Sequence, residues 1–413
     1  MVNRTYWSTK AISNTCTRTN SPSEALKRRD FLGALAALSA GARVHAASLQ
    51  PAPVPSAALP SAQLPGVLRD YRLRPVTIAP ERVIRTIVGL RPFRPSGFVV
   101  RAEKADDKTI VHNYGHGGAG ITLSWGTAHL AALEVQNTGQ NEIAVLGSGA
   151  VGLATARLLI ERGFKVSIYT KDLPPNTTSN IAGGQWFPFT VYDVDCLTPE
   201  FEEQFSTATE FSYKRYQTMV GEYYGVRWLP NFQMADKPLP TNGLLSRTGM
   251  LFPMLPEFTE LTPTKHPFPF RYARRFDTMF IQPPVYLDAM LRELRIAGVP
   301  VEVRAIRDAK EIQSLPEPVV VNCTGLGAKD LFGDEELTPI KGQLTVLVPE
   351  DEITYATLAP ELYMFPRRDG IVLGGTHERG VWDLSPDPDE TARIVSQHAD
   401  IFRRMAARMG KSA

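Results

Sequence analysis

The 413-residue chain has few cysteines and almost no excess of charge, and each shortage excludes a class of protein. Three cysteines cannot hold a disulfide-dependent miniprotein scaffold together. The formal net charge is only +2, so nucleic-acid binding has no broad electrostatic basis and we expect no nucleic-acid partner. With 31 Gly, 33 Pro and 43% hydrophobic residues, the chain is neither collagen-like nor disordered. Its length allows two or three domains with a sizeable core.

The first 46 residues have the pattern of an export signal. Arg28-Arg29 precedes an alanine-rich apolar run at 33–42, and a small-residue cleavage site follows at 44–47. The run is shorter than the about 20 residues of a membrane span, and the paired arginines resemble a twin-arginine (Tat) signal. An amphipathic helix of the mature domain is the alternative, but proline-rich sequence follows at once. We predict a signal peptide at 1–46, a Pro-rich linker at 47–79, and a periplasmic or secreted protein without a membrane span.

Removal of residues 1–46 would change the balance from 45 basic and 43 acidic residues to 38 and 41, a net charge of −3. Cys196 and Cys323 would remain. Cys323 lies in an apolar strand pattern, which predicts a buried free thiol rather than half of a disulfide.

A strand, a glycine-rich turn and a helix follow one another in the middle of the chain. The apolar run 142–146 leads directly into Gly147-Ser148-Gly149-Ala150-Val151-Gly152, and a helical pattern covers 153–162. A second strand is predicted at 165–170. This βαβ order is the context that the G-x-G-x-x-G motif requires, because the glycines let a pyrophosphate approach the backbone at the helix N-terminus. A glycine-rich turn without a ligand is the alternative.

The segment 176–186 bears on whether the cofactor is NAD or FAD. It consists of a polar turn, small residues that include Gly183-Gly184, and then Trp186. Small residues let a flat isoalloxazine ring lie against backbone, whose N–H groups can address the ring atoms. Taken alone, the segment is also compatible with an ordinary loop.

Three sequence blocks resemble the D-amino-acid oxidase / D-aspartate oxidase family of FAD-dependent flavoproteins. They are the glycine motif with the segment Thr-Thr to Trp-Phe-Pro at 177–188; the motif Arg-Pro-Phe-Arg-Pro at 91–95 with His-Asn-Tyr-Gly-His-Gly-Gly inside 111–122; and the segments 320–325, 341–343 and 373–376. The similarity covers nearly everything from residue 80 to the C-terminus.

The resemblance implies an α/β fold in which a Rossmann-type FAD-binding domain is interleaved with a mixed-sheet α+β substrate domain. The predicted parts are 80–91, 105–195 and 280–335 for the FAD-binding domain; 92–104, 196–279 and 336–390 for the substrate domain; and 391–413 for a C-terminal helix.

The order of the blocks differs from that of the familiar members of the family. In those proteins the glycine motif opens the chain, whereas here residues 80–135 precede it, as in a circular permutation. A turn at 136–141 would join the preceding helix directly to the nucleotide strand. A permutation requires the chain near residue 70 to lie close to the C-terminal helix at 391–407.

The resemblance also implies the reaction, in which a hydride passes from Cα of a D-amino acid to FAD and O2 reoxidises the flavin to give hydrogen peroxide. Arg91 matches the arginine that clamps the substrate carboxylate, a role that suits a guanidinium fork. Tyr363 matches a tyrosine at the same carboxylate, and the Gly118 carbonyl would accept from the substrate amine. Ala359 stands where animal members have a lid tyrosine. The predicted cofactor-binding residues are Gly117, Gly120, Ile121, Thr122, Gly147, Ser148, Gly149, Val151, Gly152, Asp172, Thr177, Thr178, Gly183, Gly184, Gln185, Ile306 and Thr324.

Three points stay open at the level of sequence. Lys171 stands where an acid should bind the adenosine ribose, so either Asp172 reaches the ribose or that contact is lost. Arg367-Arg368 is either a solvated turn or a second carboxylate site that would favour D-aspartate or D-glutamate. His112 and His116 have the spacing of a helical zinc site, but the glycines around them predict a loop without a metal.

Two other functions compete with the oxidase hypothesis. One is a flavin dehydrogenase of amines or secondary amino acids that passes electrons to a carrier, and the other is a flavin-binding protein without turnover. The expected partners are a D-amino acid and O2, and the sequence does not indicate an oligomeric state.

Overall fold

The computed structural model describes residues 73–241, 243–244 and 249–410. The predicted export signal and most of the predicted linker lie outside the described residues. The described end of that linker, 73–79, packs on the rest of the chain: Leu73 and Val76 are buried, and the Thr77 N–H donates to the Glu350 carboxylate at 3.0 Å. Residues 73–79 are therefore part of the folded body rather than an extended linker, because their apolar side chains have a surface to cover.

The described residues form fifteen β-strands and seven α-helices. The strands are β1 Val83–Phe93, β2 Val99–Ala105, β3 Lys108–Tyr114, β4 Glu142–Leu146, β5 Lys165–Thr170, β6 Val226–Ala235, β7 Thr259–Leu261, β8 Tyr272–Ile281, β9 Val301–Val303, β10 Val319–Asn322, β11 Thr338–Leu347, β12 Ala356–Ala359, β13 Leu362–Arg367, β14 Gly370–Gly374 and β15 Glu378–Arg379. The helices are α1 Gly120–Asn137, α2 Ala150–Glu161, α3 Pro199–Gln217, α4 Pro283–Ile296, α5 Ala309–Gln313, α6 Ala328–Phe332 and α7 Pro388–Met409. None of these described helices combines the length and apolarity needed to cross a membrane.

The six-stranded sheet is a nucleotide-binding type of sheet with helices on both faces. Its order is β2-β3-β10-β4-β5-β9, in which β2 is antiparallel to β3 and the other neighbours are parallel. Along β4, Ile143 and Val145 join the core that contains α1 and α2, whereas Ala144 and Leu146 join the core that contains α6. Strands covered on both faces are apolar throughout, which explains the continuous hydrophobic run. The predicted α/β fold is confirmed.

The nine-stranded sheet is mixed and mostly antiparallel. Its order is β1-β11-β14-β13-β12-β6-β8-β7, with β15 beside β11, and only the β12–β6 pair in this path is parallel. Strand β1 pairs with β11 from Val83 opposite Leu347 to Phe93 opposite Thr338. This long antiparallel pairing joins the first described strand to the last third of the chain.

Strands β1 and β2 each lie in the other sheet from the one expected. Residues 80–91 were expected in the FAD-binding domain and 92–104 in the substrate domain, but β1 lies in the nine-stranded sheet and β2 lies beside β3 in the six-stranded sheet. The reason is non-local, since β1 pairs with β11 and the β2–β3 pair joins its sheet through β10, and both of these partners lie far along the chain. The division into two domains stays a prediction.

Local residues set the ends of α3. The helix begins after Thr198, whose side-chain hydroxyl accepts from the Phe201 N–H at 3.2 Å, and it ends at Gln217. Beyond it Gly221 adopts φ +145 and bridges to Val226, which turns the chain into β6. The C-terminal helix begins at Pro388, three residues before the predicted start.

The two ends of the described body lie against each other. The Tyr355 hydroxyl donates to the Arg74 carbonyl at 2.7 Å and contacts the Met405 sulfur at 4.0 Å. The Thr86 and Thr391 hydroxyl oxygens are 3.5 Å apart. The predicted permutation requires this proximity, and the permutation itself remains a prediction.

Moving residues 73–139 to the C-terminal end of the chain tests whether the two orders of the sequence blocks give the same fold. The rearranged chain would begin at Gln140, and a flexible linker of about eight residues, which spans up to about 26 Å, would join Met409 to Leu73. Because the cut lies in an exposed turn and every sheet pairing is kept, we expect a circular dichroism spectrum and a melting temperature close to those of the parent. An insoluble product, or one that melts without a cooperative transition, would contradict this expectation.

Candidate active site

A cavity of about 1350 Å³ is lined by residues from both sheets. This volume exceeds the usual range of sites for drug-sized ligands and suits a dinucleotide together with a small substrate. The predicted site residues, which lie far apart in sequence, all line this cavity except Gly152.

Gly152 has a packing role behind the cavity wall. A Cβ built at Gly152 would lie 2.0 Å from the Gly147 carbonyl oxygen, so a side chain there would force α2 away from the glycine turn. The third glycine of such motifs lets the helix pack closely on its strand. Gly152 therefore shapes the turn through its packing, and its assignment to cofactor binding stays a prediction.

The N-terminus of α2 forms one end of the cavity. Its N-cap is Gly149, which offers no side chain, and the Ala150 N–H donates to the Ser179 hydroxyl at 3.0 Å. Gly147 has φ +104, and a Cβ there would lie 2.7 Å from the Cys323 carbonyl oxygen. The turn thus brings backbone and the positive end of a helix dipole to the cavity, which is the arrangement that binds phosphate groups. Cys323 is a buried free thiol, as predicted.

The turn after β5 closes the same end of the cavity. The Ser148 and Thr170 hydroxyls both donate to the Asp172 carbonyl, at 2.6 and 2.8 Å, and they fix the turn on which Lys171 and Asp172 line the cavity. The Ser148 hydroxyl is therefore used in a hydrogen bond within the protein, and the backbone of Ser148 is what remains to contact a ligand in the cavity. Asp172 stands on the cavity wall, and its contact with a ribose stays a prediction.

Two further loops meet at the cavity wall. Gly117 adopts φ +56, where a Cβ would lie 2.0 Å from the Thr190 carbonyl oxygen, and the Gly118 N–H donates to that oxygen at 3.0 Å. The Thr122 hydroxyl bonds the Phe187 carbonyl at 3.1 Å and the Phe187 N–H at 3.3 Å. Helix α1 begins at Gly120 without a side-chain cap, so a second positive helix end reaches the cavity.

The two histidines of the glycine-rich loop face different partners. Nε2 of His116 lies 2.8 Å from the Thr127 hydroxyl, and complete burial lowers the pKa of His116 to about 3, so its ring is neutral. His112 lies 3.2 Å from both the Glu103 carboxylate and the Asn322 amide. Both rings are held within the protein framework.

Arg91 and Tyr363 come together from strands β1 and β13. Nη1 of Arg91 is buried and has no hydrogen-bond partner among the described residues. A buried charged donor without a partner is costly, so this nitrogen favours an anionic ligand. Burial raises the pKa of Tyr363, an effect that the charge of Arg91 and its hydrogen bond to the phenol oppose only in part, so the phenol stays protonated. A Cβ on Gly118 would lie 3.7 Å from Cδ of Arg91, which places the third predicted residue beside Arg91.

Arg367 is outside the cavity lining and has a structural role. Its Nε and Nη2 bond the Asp369 carboxylate at 2.7 and 2.5 Å, and its Nη1 donates to the Ala182 carbonyl at 3.0 Å. Burial would raise the pKa of Asp369, but the hydrogen bonds and charges of Arg367 and Arg85 hold it below its ordinary value. A second carboxylate site at Arg367 is therefore wrong, because each of its three nitrogens is already used. Arg368 pairs with Glu222 on the surface.

Several cavity residues were missed at the level of sequence. Thr190 lines the cavity and has φ +55, a conformation that no motif marks. Ser179, which bonds the first turn of α2, lies inside the polar turn that was singled out and could have been found there. His377 follows directly on the segment 373–376 and stands at the exposed rim.

Comparisons with known proteins agree with this arrangement. The family model described as FAD dependent oxidoreductase (DAO) matches residues 62–133 and 142–411. A D-amino-acid oxidase from Streptomyces coelicolor is 32% identical over 282 residues, which span 66% of this chain and 81% of that protein. Human D-aspartate oxidase is 28% identical over 263 residues, 62% of this chain and 74% of that protein. The crystal structure of glycine oxidase from Bacillus cereus superimposes with a TM-score of 0.50 at 18% identity, covering 65% of this chain and 80% of that one, and this likeness bears on the fold alone.

The residues present fit FAD. The glycine turn and the uncapped α2 would hold the pyrophosphate, and the loops at 117–122 and 183–187 would hold the isoalloxazine ring. Gly118 and Gly183 have no room for a side chain, since a Cβ would lie 2.9 Å from the Phe189 carbonyl oxygen and 2.8 Å from the Phe365 ring, respectively.

Arg367→Ala should weaken FAD binding. The variant frees the Ala182 carbonyl and loosens the loop that carries Gly183 and Gly184. Loss of one partner from a buried ion pair typically costs about 3–5 kcal/mol in total. We assign about 1.4 kcal/mol of this cost to FAD affinity, which corresponds to a tenfold increase in the dissociation constant. Titration of the apoprotein with FAD, followed by flavin fluorescence, measures the dissociation constant. Arg368→Ala is the matched control, because it removes the neighbouring arginine from an exposed pair, and it should change the constant less than twofold. Equal effects of the two variants would contradict the assigned role.

Proposed function

The chain belongs to the FAD dependent oxidoreductase family, and from this premise we propose that it oxidises D-amino acids. It is an FAD-dependent enzyme. The observation that carries the proposal is the meeting of Arg91, Tyr363 and Gly118 in the cavity that also contains the glycine turn. The two relatives are a D-amino-acid oxidase and a D-aspartate oxidase, and their names support the D configuration.

In the proposed reaction, the protein binds and orients the substrate. The Arg91 guanidinium pairs with the substrate carboxylate, and its buried Nη1 gains the partner that it lacks in the protein. The protonated Tyr363 phenol donates a second hydrogen bond to the same carboxylate. The Gly118 carbonyl accepts from the substrate amine, and these contacts together fix which hydrogen of Cα faces the ring.

FAD, when bound, supplies the hydride acceptor. A side-chain base is not needed if the amine reacts in its neutral form, because its lone pair then moves toward Cα as the hydride leaves. The resulting imino acid hydrolyses to a 2-oxo acid and ammonia. Phe187 and Phe189 line the cavity beside the loop that holds Gly118, and their rings, 4.1 Å apart, reduce the access of water.

The identity of the electron acceptor distinguishes the proposed oxidase from a dehydrogenase. Reoxidation by O2 gives hydrogen peroxide, whereas a dehydrogenase passes its electrons to a carrier. We propose O2 on the strength of the oxidase names of the relatives.

Anaerobic mixing of the purified protein with D- and L-amino acids tests the function. We expect D-amino acids alone to bleach the absorption of oxidised flavin, and peroxide to form when air is readmitted. Bleaching without peroxide would favour the dehydrogenase, and a yellow protein that no amino acid bleaches would favour an amine substrate or a flavin-binding protein without turnover.

Arg91→Ala should raise the KM for D-alanine by about 100-fold, because loss of one partner of a hydrogen-bonded charge pair costs about 2–5 kcal/mol. Tyr363→Phe should raise it only about 5- to 10-fold, since it removes a single hydrogen bond. Steady-state peroxide assays measure both, and the flavin content of each variant serves as the control for folding. A KM for Arg91→Ala within threefold of the parent value would rule out the carboxylate clamp.

We also propose that the chain is exported through a twin-arginine route. The proposal is supported by Arg28-Arg29 before the apolar run and by a cofactor that must be bound in a folded cavity. Replacing both arginines with lysine should retain the yellow protein in the cytoplasm, as cell fractionation would measure. The control pair Arg4→Lys and Arg18→Lys keeps the charge outside the motif and should leave export unchanged. Export of the Arg28-Arg29 variant at the parent level would contradict the proposal.

A further inference from the structure

Two strand glycines lie directly beneath the side chains assigned to substrate binding. A Cβ built at Gly342 would lie 2.2 Å from Nη1, 2.4 Å from Nη2 and 2.5 Å from Cζ of Arg91. Because all three atoms are at nearly the same distance, the plane of the guanidinium lies flat across the Gly342 Cα. At Gly374, a Cβ would lie 2.1 Å from Cζ and 2.5 Å from the hydroxyl oxygen of Tyr363.

The sheet register explains both contacts. Gly342 on β11 lies opposite Gly89 on β1, and Arg91 is two residues further along, so Arg91 and Gly342 are diagonal neighbours on one face. Diagonal neighbours are within reach of long side chains. Gly374 on β14 lies directly opposite Tyr363 on β13. Since β11 and β14 are adjacent in the sheet, Arg91 and Tyr363 lie over the two middle strands from opposite sides.

These glycines differ from those that serve only close packing of the backbone. A Cβ at Gly126 would lie 1.9 Å from the backbone oxygen of Ala208 on the neighbouring helix, so a side chain there would displace α1 from α3. At Gly342 the obstructing atoms are instead the far end of a flexible side chain, which can move without moving the backbone. A methyl group at Gly342 would therefore change the position of the guanidinium more than it would change the fold.

We propose that Gly342 and Gly374 are positioning residues that form a floor for the substrate carboxylate clamp. The absence of side chains at these positions lets Arg91 and Tyr363 lie low across the sheet, which fixes their height and leaves room above them for the carboxylate. This proposal rests on the proposed function, because it assigns Arg91 and Tyr363 to the substrate carboxylate.

A double-mutant cycle between positions 342 and 91 tests the floor. Gly342→Ala should keep its FAD, lower the melting temperature by only a few degrees, and raise the KM for D-alanine by about 10- to 100-fold, since small displacements of an orienting group have effects of this size. Its kcat at saturating D-alanine should change much less than its KM. The dissociation constant of benzoate, a carboxylate with no Cα hydride, should rise in parallel, as changes in the flavin spectrum would report.

The same substitution should have no further effect in an Arg91→Ala background, because the guanidinium that the methyl group displaces is then absent. Gly374→Ala should behave likewise toward Tyr363→Ala. Gly410→Ala is the control for a plain Gly-to-Ala change, since its Cβ would meet nothing closer than 3.7 Å, and it should leave KM and the benzoate constant unchanged.

The outcomes separate the floor from the proposed function. If the parent oxidises D-alanine and Gly342→Ala keeps the parent KM, or loses the same factor with and without Arg91, the floor proposal is wrong while the function stands. If the parent oxidises no D-amino acid, the proposed function has failed. In that case the floor proposal is tested by the benzoate dissociation constants and the melting temperatures of the parent, the two single variants and the double variant. Additive effects of Gly342→Ala and Arg91→Ala on these quantities would overturn the floor proposal.

Discussion

The buried ion cluster around Arg94 fixes the relation between the two sheets, and the cavity depends on it. Arg94 follows directly on β1, and its guanidinium bonds Asp334 at 2.8 Å, Glu336 at 2.6 Å and the Gly97 carbonyl at 3.0 Å. Tyr114, on β3, donates to the same Asp334. The cluster therefore holds the turn at which the chain leaves the nine-stranded sheet and enters the six-stranded one. Removing one partner would leave an uncompensated buried charge, which typically costs about 3–5 kcal/mol.

Alternate side chains of strand β13 connect the residues assigned to the substrate carboxylate with the loop assigned to the flavin ring. Tyr363, Phe365 and Arg367 are spaced two apart, so they share one face of the sheet. Tyr363 faces Arg91, the Phe365 ring stacks on Tyr363 at 4.7 Å and leaves no room for a side chain on Gly183, and Arg367 bonds the Ala182 carbonyl. One strand thus sets both the carboxylate clamp and the loop assigned to the flavin ring, so their separation does not depend on a flexible connection.

The sequence predicted well what depends on neighbouring residues. Strands β4 and β5 and the glycine turn between them follow from local periodicity and motif, and the motif matches brought Arg91, Tyr363 and Gly118 to one cavity. The sheet membership of β1 and of the β2–β3 pair could not be predicted, because it is decided by pairing with β11 and with β10, two strands that lie far along the chain. The burial of Arg367 was missed for the same reason, since Asp369 and Ala182 meet it only in the folded chain. The contact between Gly342 and Arg91 could not be predicted either, because Arg91 lies on another strand.

The pairing of β1 with β11 has a consequence for the order of events during synthesis. The strand that carries Arg91 leaves the ribosome about 245 residues before its partner does, and at roughly 5–20 residues per second that delay is on the order of 10–50 s. Throughout that interval β1 has an unpaired edge, while β2 and β3 can already pair with each other. The nascent chain must therefore keep an exposed strand from pairing with other chains, and the cavity closes only when most of the protein has been made.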